Sequence, residues 1–299
     1  MESRIDYTGV SPVGVAVAYA LELAGAAFAP FQFKGFWRVA RVVGRFAGHQ
    51  PMTVRLSAQS RFRFLLDDPY WSRVVCRQFS YEPEILDVVR SLSFPQGTHF
   101  LDCGANFGFW SVLLSEYFPT IAIEASPVTF RHLVKNNEIN DFRFECLNRA
   151  IYSTTNERLH FDLSPENHAG AGISETGPVS VETVAIDDLV RQCPAMLIKL
   201  DVEGAEIPAL DGAEQTLHSC PVLIIYEDHG HDPGSAVTQH ILSDLGLSVY
   251  FCDDNTVSRQ IRSAEEAAAI KVNPKKGYNF FATQPGSVFD AQLAAITRR

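Results

Sequence analysis

The stretch THFLDCGANFGFWSVLLSEYF (98–118) decides the fold of this 299-residue sequence. A short apolar run ends in an acidic residue and a glycine, and apolar residues with helical spacing follow directly. Further short apolar runs begin at positions 120, 143, 196, 221, 247 and 277. Strands that alternate with helices indicate a mainly parallel sheet with both faces covered. We therefore predict an α/β fold with seven strands, the last antiparallel, because only a polar stretch and a short Ala-rich helix precede it.

The loop DCGANFG (102–108) suits a ligand that carries positive charge. Dinucleotide sites typically have the pattern GxGxxG, whereas here three residues separate Gly104 from Gly108. We expect Asp102 to end the first strand and to point into the crevice, where a carboxylate would repel a pyrophosphate but attract an amino group or a sulfonium. Glu124 ends the second strand, where a carboxylate can accept hydrogen bonds from ribose hydroxyls. This combination predicts a site for S-adenosylmethionine. On the alternative interpretation the two glycines only allow a turn and close packing.

Five segments in order resemble the FkbM-type methyltransferases. They are FLDCGANFGFWS (100–111), IAIEASPVTFRHLVKNNEIN (121–140), VETVAIDDLV (181–190), LIKLDVEGAEIPALDGA (197–213) and PVLIIYEDH (221–229). The resemblance extends over about 80–285 and implies a Rossmann-like class I methyltransferase fold, S-adenosylmethionine as cofactor and transfer mostly to hydroxyl oxygens. Glu-Ala-Ser-Pro (124–127) stands where the family usually has Glu-Pro. The expected cofactor contacts are Glu82, Asp102, Gly104, Ala105, Asn106, Gly108, Glu124, Ala125, Ser126 and Asp201.

Acidic and histidine side chains at the ends of the fourth and fifth strands are candidates for the catalytic base. A hydroxyl group is a poor nucleophile while it is protonated, so a base beside it is useful. His229 can be neutral near pH 7 and is a reasonable choice. The full set of catalytic candidates is Asp201, Glu203, Glu227 and His229, with Asp228 beside them. The carboxylates also permit a divalent cation such as Mg²⁺, although nothing in their spacing requires one.

The expected acceptor is a sugar, a glycan or a small oxygenated metabolite, in phosphorylated or lipid-linked form if the basic residues bind it. Between the third and fourth strands, a Gly- and Ser-rich segment (158–183) reads as a hairpin and loop that could close over substrate. The acceptor contacts predicted there and elsewhere are Asn167, His168, Glu206, His231, Arg38 and Arg41.

Charge is unevenly distributed along the chain. The net charge is −10, which disfavours a general nucleic-acid binder. Residues 23–66 nevertheless contain seven Lys and Arg and no Asp or Glu. Lys34, Arg38, Arg41 and Arg45 would form one stripe on a helix, with Phe36, Val39, Ala40, Val43 and Phe46 opposite. Such a stripe predicts contact with an anionic acceptor or with lipid headgroups, unless it is only a solvated face.

Other features indicate a cytoplasmic protein, which the basic helix could also bring to the inner face of the membrane. The six cysteines form no CxxC pair and read as buried thiols in a reducing compartment. The apolar stretch 13–31, preceded by Ser11-Pro12 as a helix start, is expected to be a buried helix rather than a signal peptide or a membrane span. An exposed apolar face on this helix could equally serve a homodimer.

We expect three parts: a helical, basic cap region (1–78), a cofactor-binding methyltransferase core (79–285) and a C-terminal tail (286–299). Two other classes of function stay open at this point. One is a nicotinamide-dependent oxidoreductase, which the missing GxGxxG pattern and Asp102 disfavour. The other is a noncatalytic ligand-binding module that retains the fold.

Overall fold

The computed structural model describes residues 4–162, 172–173, 177–190, 192–202, 204–252, 258–274 and 276–296. The chain divides into two compact units. The first comprises Met1–Glu82 with Val134–Arg143, and the second comprises Pro83–Leu133 with Phe144–Arg299. The boundary expected at 78/79 lies close to this division. No sequence pattern, however, assigned residues 134–143 to the N-terminal part.

The first unit contains two helices and a three-stranded antiparallel sheet of order β1-β2-β3. Its elements are β1 (Ile5–Asp6), α1 (Pro12–Phe28), α2 (Phe36–Gly44), β2 (Pro51–Arg55) and β3 (Arg61–Leu65). The hydroxyl of Ser11 accepts a hydrogen bond from the N–H of Gly14 at 3.1 Å, and Pro12 occupies the first turn. This is the helix start that the sequence predicts. A 3₁₀ turn, Ala29–Phe31, follows the helix and contains Pro30.

Helix α1 is buried on one side only. By length and composition Pro12–Phe31 could cross a membrane, a property shared by core helices of soluble proteins and by signal sequences near an N-terminus. The other side of the helix is open to solvent, and Leu23 is 75% exposed. The expectation of a buried helix therefore holds for the side that carries Gly14, Val17, Ala18, Leu21 and Gly25.

The basic stripe is shorter than the sequence predicts. Helix α2 carries Arg38 and Arg41, while Lys34 precedes the helix and Arg45 is its C-terminal cap. Phe46 was expected opposite the basic stripe but is 75% exposed, because the helix ends before it. The remaining predicted apolar positions are buried or half-buried, as expected.

The second unit is built on one large mixed sheet. Its strands are β4 (His99–Cys103), β5 (Thr120–Ile123), β6 (Glu145–Leu147), β11 (Met196–Leu200), β12 (Val222–His229), β13 (Ser248–Cys252), β14 (Ser258–Ile261) and β15 (Gly277–Thr283). Four further strands, β7 (Ala150–Ile151), β8 (Arg158–Asp162), β9 (Gly172–Ile173) and β10 (Val179–Val184), form a small sheet.

The large sheet has the order β14-β13-β15-β12-β11-β4-β5-β6, and β15 runs antiparallel to both of its neighbours. The first strand of the unit, β4, is central, and the strand order reverses beside it. This is the predicted Rossmann-like α/β fold, with the antiparallel seventh strand that the sequence predicts. The structure also contains an eighth strand, β14, which the sequence did not predict because its residues are mostly polar.

Helices cover the large sheet. They are α3 (Pro83–Ser91), α4 (Phe109–Leu114), α5 (Pro127–Glu138), α6 (Glu206–Asp211), α7 (Glu214–Ser219), α8 (Ala236–Ser243), α9 (Ala264–Ile270) and α10 (Val288–Ile296). Strands β11 and β12 are almost wholly buried because both faces are covered. The last predicted segment, expected as a tail, is largely helical.

Two segments differ from or refine the prediction. The third predicted strand, 143–151, is divided between β6 in the large sheet and β7 in the small one. Strands β8 and β10 pair antiparallel, so the predicted hairpin is present. Asn167 and His168, the substrate contacts expected at its tip, lie outside the described residues.

Candidate functional site

The candidate site lies where β4, β5 and β11 end at their carboxyl ends, beside the point at which the strand order reverses. In the sheet register Cys103 is opposite both Ile123 and Leu200. Three loops therefore start at the same edge of the sheet: 104–108, 124–126 and the one that follows Leu200. Ligands of open α/β sheets bind in the crevice at this place.

Gly104 lets the first loop pass close to the third. Its φ is +82°, and a Cβ atom built there would lie 1.8 Å from the carbonyl oxygen of Asp201. The N–H groups of Gly104 and Ala105 both donate to the carbonyl of Ile123 at 2.9 Å. A side chain at position 104 would have to displace backbone, so the site requires glycine here.

Glu124 joins the first loop to the second. One carboxylate oxygen accepts a hydrogen bond from the N–H of Asn106 at 2.9 Å, and the other accepts one from the N–H of Ser126 at 2.7 Å. Burial raises the pKa of Glu124 to about 7, although these two hydrogen bonds oppose the shift. Each carboxylate oxygen keeps a second acceptor site, so ribose hydroxyls could still bind here.

The rest of the two loops is held by local contacts. Asn106 and Gly108 have φ values of +53° and +87°, and Gly108 precedes α4. Ala125 is half-buried, and the buried Ser126 stands at the start of α5, where its hydroxyl accepts from the N–H of Thr129 at 3.3 Å. The loops are thus built as fixed turns.

Asp102, which was expected to end its strand and to point into the crevice, is a buried residue. Strand β4 continues to Cys103, so Asp102 is its penultimate residue, and its side chain is only 1% exposed. Ser111 donates its hydroxyl hydrogen to the carboxylate. Burial raises the pKa of Asp102 to about 6, against the opposing effects of the Lys199 ammonium and of Ser111.

Lys199 was missed by the sequence reasoning. It is buried in β11, directly opposite Asp102 in the register, and its Nζ lies 2.9 Å from Oδ2 of Asp201. Burial raises the pKa of Asp201, but Lys199, Glu227 and His229 outweigh it, so the net pKa is lowered. The signal was present: Lys199 is the one charged residue of the apolar strand MLIKL (196–200).

Glu227 and His229 extend this cluster from β12. Glu227 hydrogen-bonds to Asp201, and its Oε1 lies 3.5 Å from Nδ1 of His229. A hydrogen bond between two carboxyl groups requires a proton on one of them. Gly277 leaves the space that the Glu227 side chain occupies, because a Cβ atom at position 277 would lie 1.1 Å from Oε1 of Glu227. Asp201, Glu227 and His229 can therefore exchange a proton among themselves.

Other predicted residues lie elsewhere. Asp228 is 1% exposed and binds Lys271 and Thr238, so it is unsuited to act as a base. Glu206, expected to bind substrate, is 3% exposed, and its carboxylate accepts from the N–H of Gly204 at 3.0 Å, which makes it part of the turn. His231 is exposed, and its ring stacks on His229 with centroids 5.0 Å apart.

The remaining predicted residues are not part of the described cluster. Glu203 lies outside the described residues. Glu82, with a φ of +43°, ends the first unit, which also contains Arg38 and Arg41. Among the described residues, no three His, Cys, Asp or Glu side chains are grouped so that they could hold a metal ion.

Asn148 is a further residue that the sequence did not single out. Its Nδ2 donates to the carbonyls of Glu124 and Ala125, at 2.8 and 3.0 Å. These bonds tie the connection between β6 and β7 to the second loop of the site.

The segment that contains these loops matches a known family. The match is to the family described as "Methyltransferase FkbM domain", and it covers residues 102–247. The matched segment contains the loops of the candidate site, together with Lys199, Glu227 and His229.

Two curated proteins are similar to this chain. The hexuronic acid methyltransferase AglP of Haloferax volcanii is 30% identical over 151 residues, which are 49% of this chain and 62% of that protein. Methyltransferase 1 of Beauveria bassiana is 26% identical over 153 residues, covering 40% and 60% of the two chains. The chain thus matches less than two thirds of the length of either relative.

Among solved structures, this chain is similar to the precorrin-6y C5,15-methyltransferase of Geobacter metallireducens. It is 12% identical, with a TM-score of 0.41, and the match covers 69% of this chain and 90% of that one.

Proposed function

We propose that this protein is an S-adenosylmethionine-dependent O-methyltransferase that acts on a sugar, as a free sugar, a glycan or a small sugar-like metabolite. The observation that carries the proposal is the coincidence of the FkbM match with the Glu124-linked loops at the carboxyl ends of β4 and β5. A nicotinamide oxidoreductase is disfavoured by the two buried acids beside the loop.

The residues present fit this methyl donor. Asp102 and Glu124 are buried acids with raised pKa values, and an adjacent cation lowers the free energy of their ionised forms. A sulfonium and an ammonium group supply such positive charge. Glu124 would hold the ribose hydroxyls through the acceptor sites that its carboxylate oxygens keep. The donor, when bound, supplies a methyl group that is already activated toward nucleophiles.

The chain's own task is to orient the acceptor oxygen and to remove its proton. Asp201 is 21% exposed and is held in the ionised form by Lys199, so it can accept a proton from a hydroxyl. Glu227 and His229, which contact Asp201 directly or through one another, offer a route for that proton to solvent. Glu203 and a bound divalent cation stay predictions for this step.

A sugar acceptor is supported by the relative whose name specifies a hexuronic acid. Such an acid offers two kinds of oxygen, a hydroxyl and a carboxylate. Only the hydroxyl needs a base, because the carboxylate is already ionised near pH 7. The Asp201 cluster therefore favours the hydroxyl and an ether product.

The test combines donor binding with product chemistry. Calorimetric titration with S-adenosylmethionine should show binding, whereas NAD should not bind. Purified chain is then incubated with methyl-labelled donor and matched acceptors, a methyl glucuronide and a methyl glucoside, with and without Mg²⁺. A labelled product that survives mild alkali is an ether, and one that releases methanol is an ester. Binding of NAD in place of the donor would contradict the proposal.

A further inference from the structure

The solvent-facing side of α1 is entirely apolar. The single charged residue of the helix, Glu22, is paired with Arg77, whose Nε lies 2.7 Å from Oε1. The exposed residues recur at every turn of the helix, which is the spacing of one continuous stripe. They are Pro12, Val13, Ala16, Tyr19, Ala20, Leu23, Ala26 and Ala27.

Helix α2 presents a mixed apolar and basic side. Trp37 is 49% exposed and Val42 is 60% exposed, and Arg38 and Arg41 are exposed beside them. The guanidinium of Arg38 lies over the Trp37 ring at 5.3 Å. Phe36, Ala40 and Gly44 form the buried side. The helix thus shows an aromatic and a valine among cations rather than an ordinary solvated face.

The connections at both ends of α2 have the same character. Phe31 before the helix is 66% exposed, and Phe46 after it is 75% exposed. Lys34 and Arg45 are exposed next to them. The exposed sides of α1 and α2, together with these four residues, are called the N-terminal surface below.

Large exposed apolar patches are rare on soluble monomers and mark sites of association. The charged side chains of the N-terminal surface are all positive, because residues 23–66 contain no Asp or Glu. Amphipathic helices that lie in the membrane interface combine apolar residues and tryptophan with Lys and Arg in this way. Self-association through the same surface would bring like charges together, which disfavours a second copy as its partner.

We propose that the N-terminal surface docks on an anionic lipid bilayer, with Leu23, Phe31 and Trp37 entering the interface and the basic residues contacting the headgroups. This inference goes beyond methyl transfer and does not depend on it. It assigns to the first unit a role in placing the protein at a membrane.

Trp37 provides a direct readout. The chain has three tryptophans, and Trp71 and Trp110 are 1% and 3% exposed, so Trp37 alone should respond to a new environment. Titration of the full chain with phosphatidylglycerol vesicles should shift its emission to the blue, whereas phosphatidylcholine vesicles should have a much weaker effect. W37F should lose the shift but still sediment with vesicles.

Paired variants separate charge from apolar contact. R38Q/R41Q should weaken partition onto anionic vesicles about 25-fold, since each basic residue near the surface contributes about 1 kcal/mol. R259Q/R262Q, which removes two exposed arginines of the second unit, should leave partition unchanged. L23S/F31S should weaken partition at least about tenfold, while the matched control Y117S/V272S should not. Thermal unfolding of each variant shows that it is folded.

Three results would overturn the proposal. The first is no sedimentation with anionic vesicles at low salt. The second is a dimer, seen by sedimentation velocity, that L23S/F31S dissociates and that vesicles do not bind. The third is a changed acceptor KM in R38Q/R41Q with unchanged vesicle partition, which would assign these arginines to acceptor binding.

Discussion

Two neighbouring strands each contribute one member of an Asp–Lys pair. Strand β11 carries Lys199, which binds Asp201 just after the strand, and β12 carries Asp228, which binds Lys271 just after α9. The two pairs differ in what else they contact. Nζ of Lys271 also donates to the carbonyls of His229 and Asp232, at 3.0 and 2.6 Å, and Asp228 also accepts from Thr238 at 2.6 Å.

Asp228 and Lys271 therefore use their hydrogen-bonding groups inside the protein, and both side chains are 1% exposed. Asp201 instead keeps 21% of its side chain exposed and faces Glu227. The loss of one partner from a fully buried ion pair leaves an uncompensated charge and destabilises the fold. A pair that leaves a carboxylate at the surface of a crevice can instead take part in chemistry. The comparison favours a structural role for Asp228–Lys271 and supports the role proposed above for Asp201.

The largest effect is expected on stability, from Lys271→Met. This change leaves the Asp228 carboxylate buried without its cation and should lower the free energy of unfolding by about 3–5 kcal/mol. Urea unfolding followed by circular dichroism measures it. D228N/K271M should recover part of the loss. If Lys199→Met destabilises the protein as much as Lys271→Met, the distinction between the two pairs is wrong.

The next effect concerns catalysis. Asp201→Asn should reduce kcat by about 10²–10⁴-fold, the range for loss of a general base, while donor affinity and unfolding change little. The matched variant Asp228→Asn should show the opposite pattern, with lower stability and a near-normal kcat in the folded fraction. A normal kcat in Asp201→Asn would indicate a carboxylate acceptor, or another base.

A smaller effect should follow from Gly277→Ala. The new methyl group would occupy the place of the Glu227 carboxylate, which is the flexible end of a side chain and can move without unfolding the sheet. We expect kcat to fall about tenfold, as for a lost proton-transfer partner, with unchanged donor affinity. An alkaline or acid shift of the kcat–pH profile would show that Glu227 acts through Asp201, and an unchanged profile would show that it does not.

The smallest effect is the pH dependence of donor binding. Glu124 and Asp102 have raised pKa values, about 7 and about 6, so they gain protons as the pH falls through this range. Protonation removes their attraction for a cation, and calorimetric affinity for S-adenosylmethionine should therefore decrease below pH 7. The unliganded fold responds with the opposite sign, since a carboxyl with a raised pKa adds stability at low pH and loses it as the pH rises. Affinity that increases on acidification would contradict the assigned positions of these acids.

Much of the fold followed from local pattern. The strand–helix alternation, the antiparallel β15 and the Ser11 cap each depend on residues close together in the chain, where period and capping chemistry act directly. The sequence did not predict strand β14, because an edge strand of four residues does not need the alternation of apolar and polar residues that identifies a strand. The end of α2 was placed too late because charge spacing alone does not define a helix terminus.

Within the site, the sequence determined which residue types gather at the carboxyl ends of the strands: the glycines of the first loop, Glu124, Asp201, Glu227 and His229. Only the tertiary structure decided their states. Asp228 is neutralised by Lys271, which lies 43 residues away, and Gly277 makes room for Glu227 from another strand. The physical reason is that burial and ion pairing depend on neighbours brought together by packing, whereas secondary structure depends on neighbours along the chain.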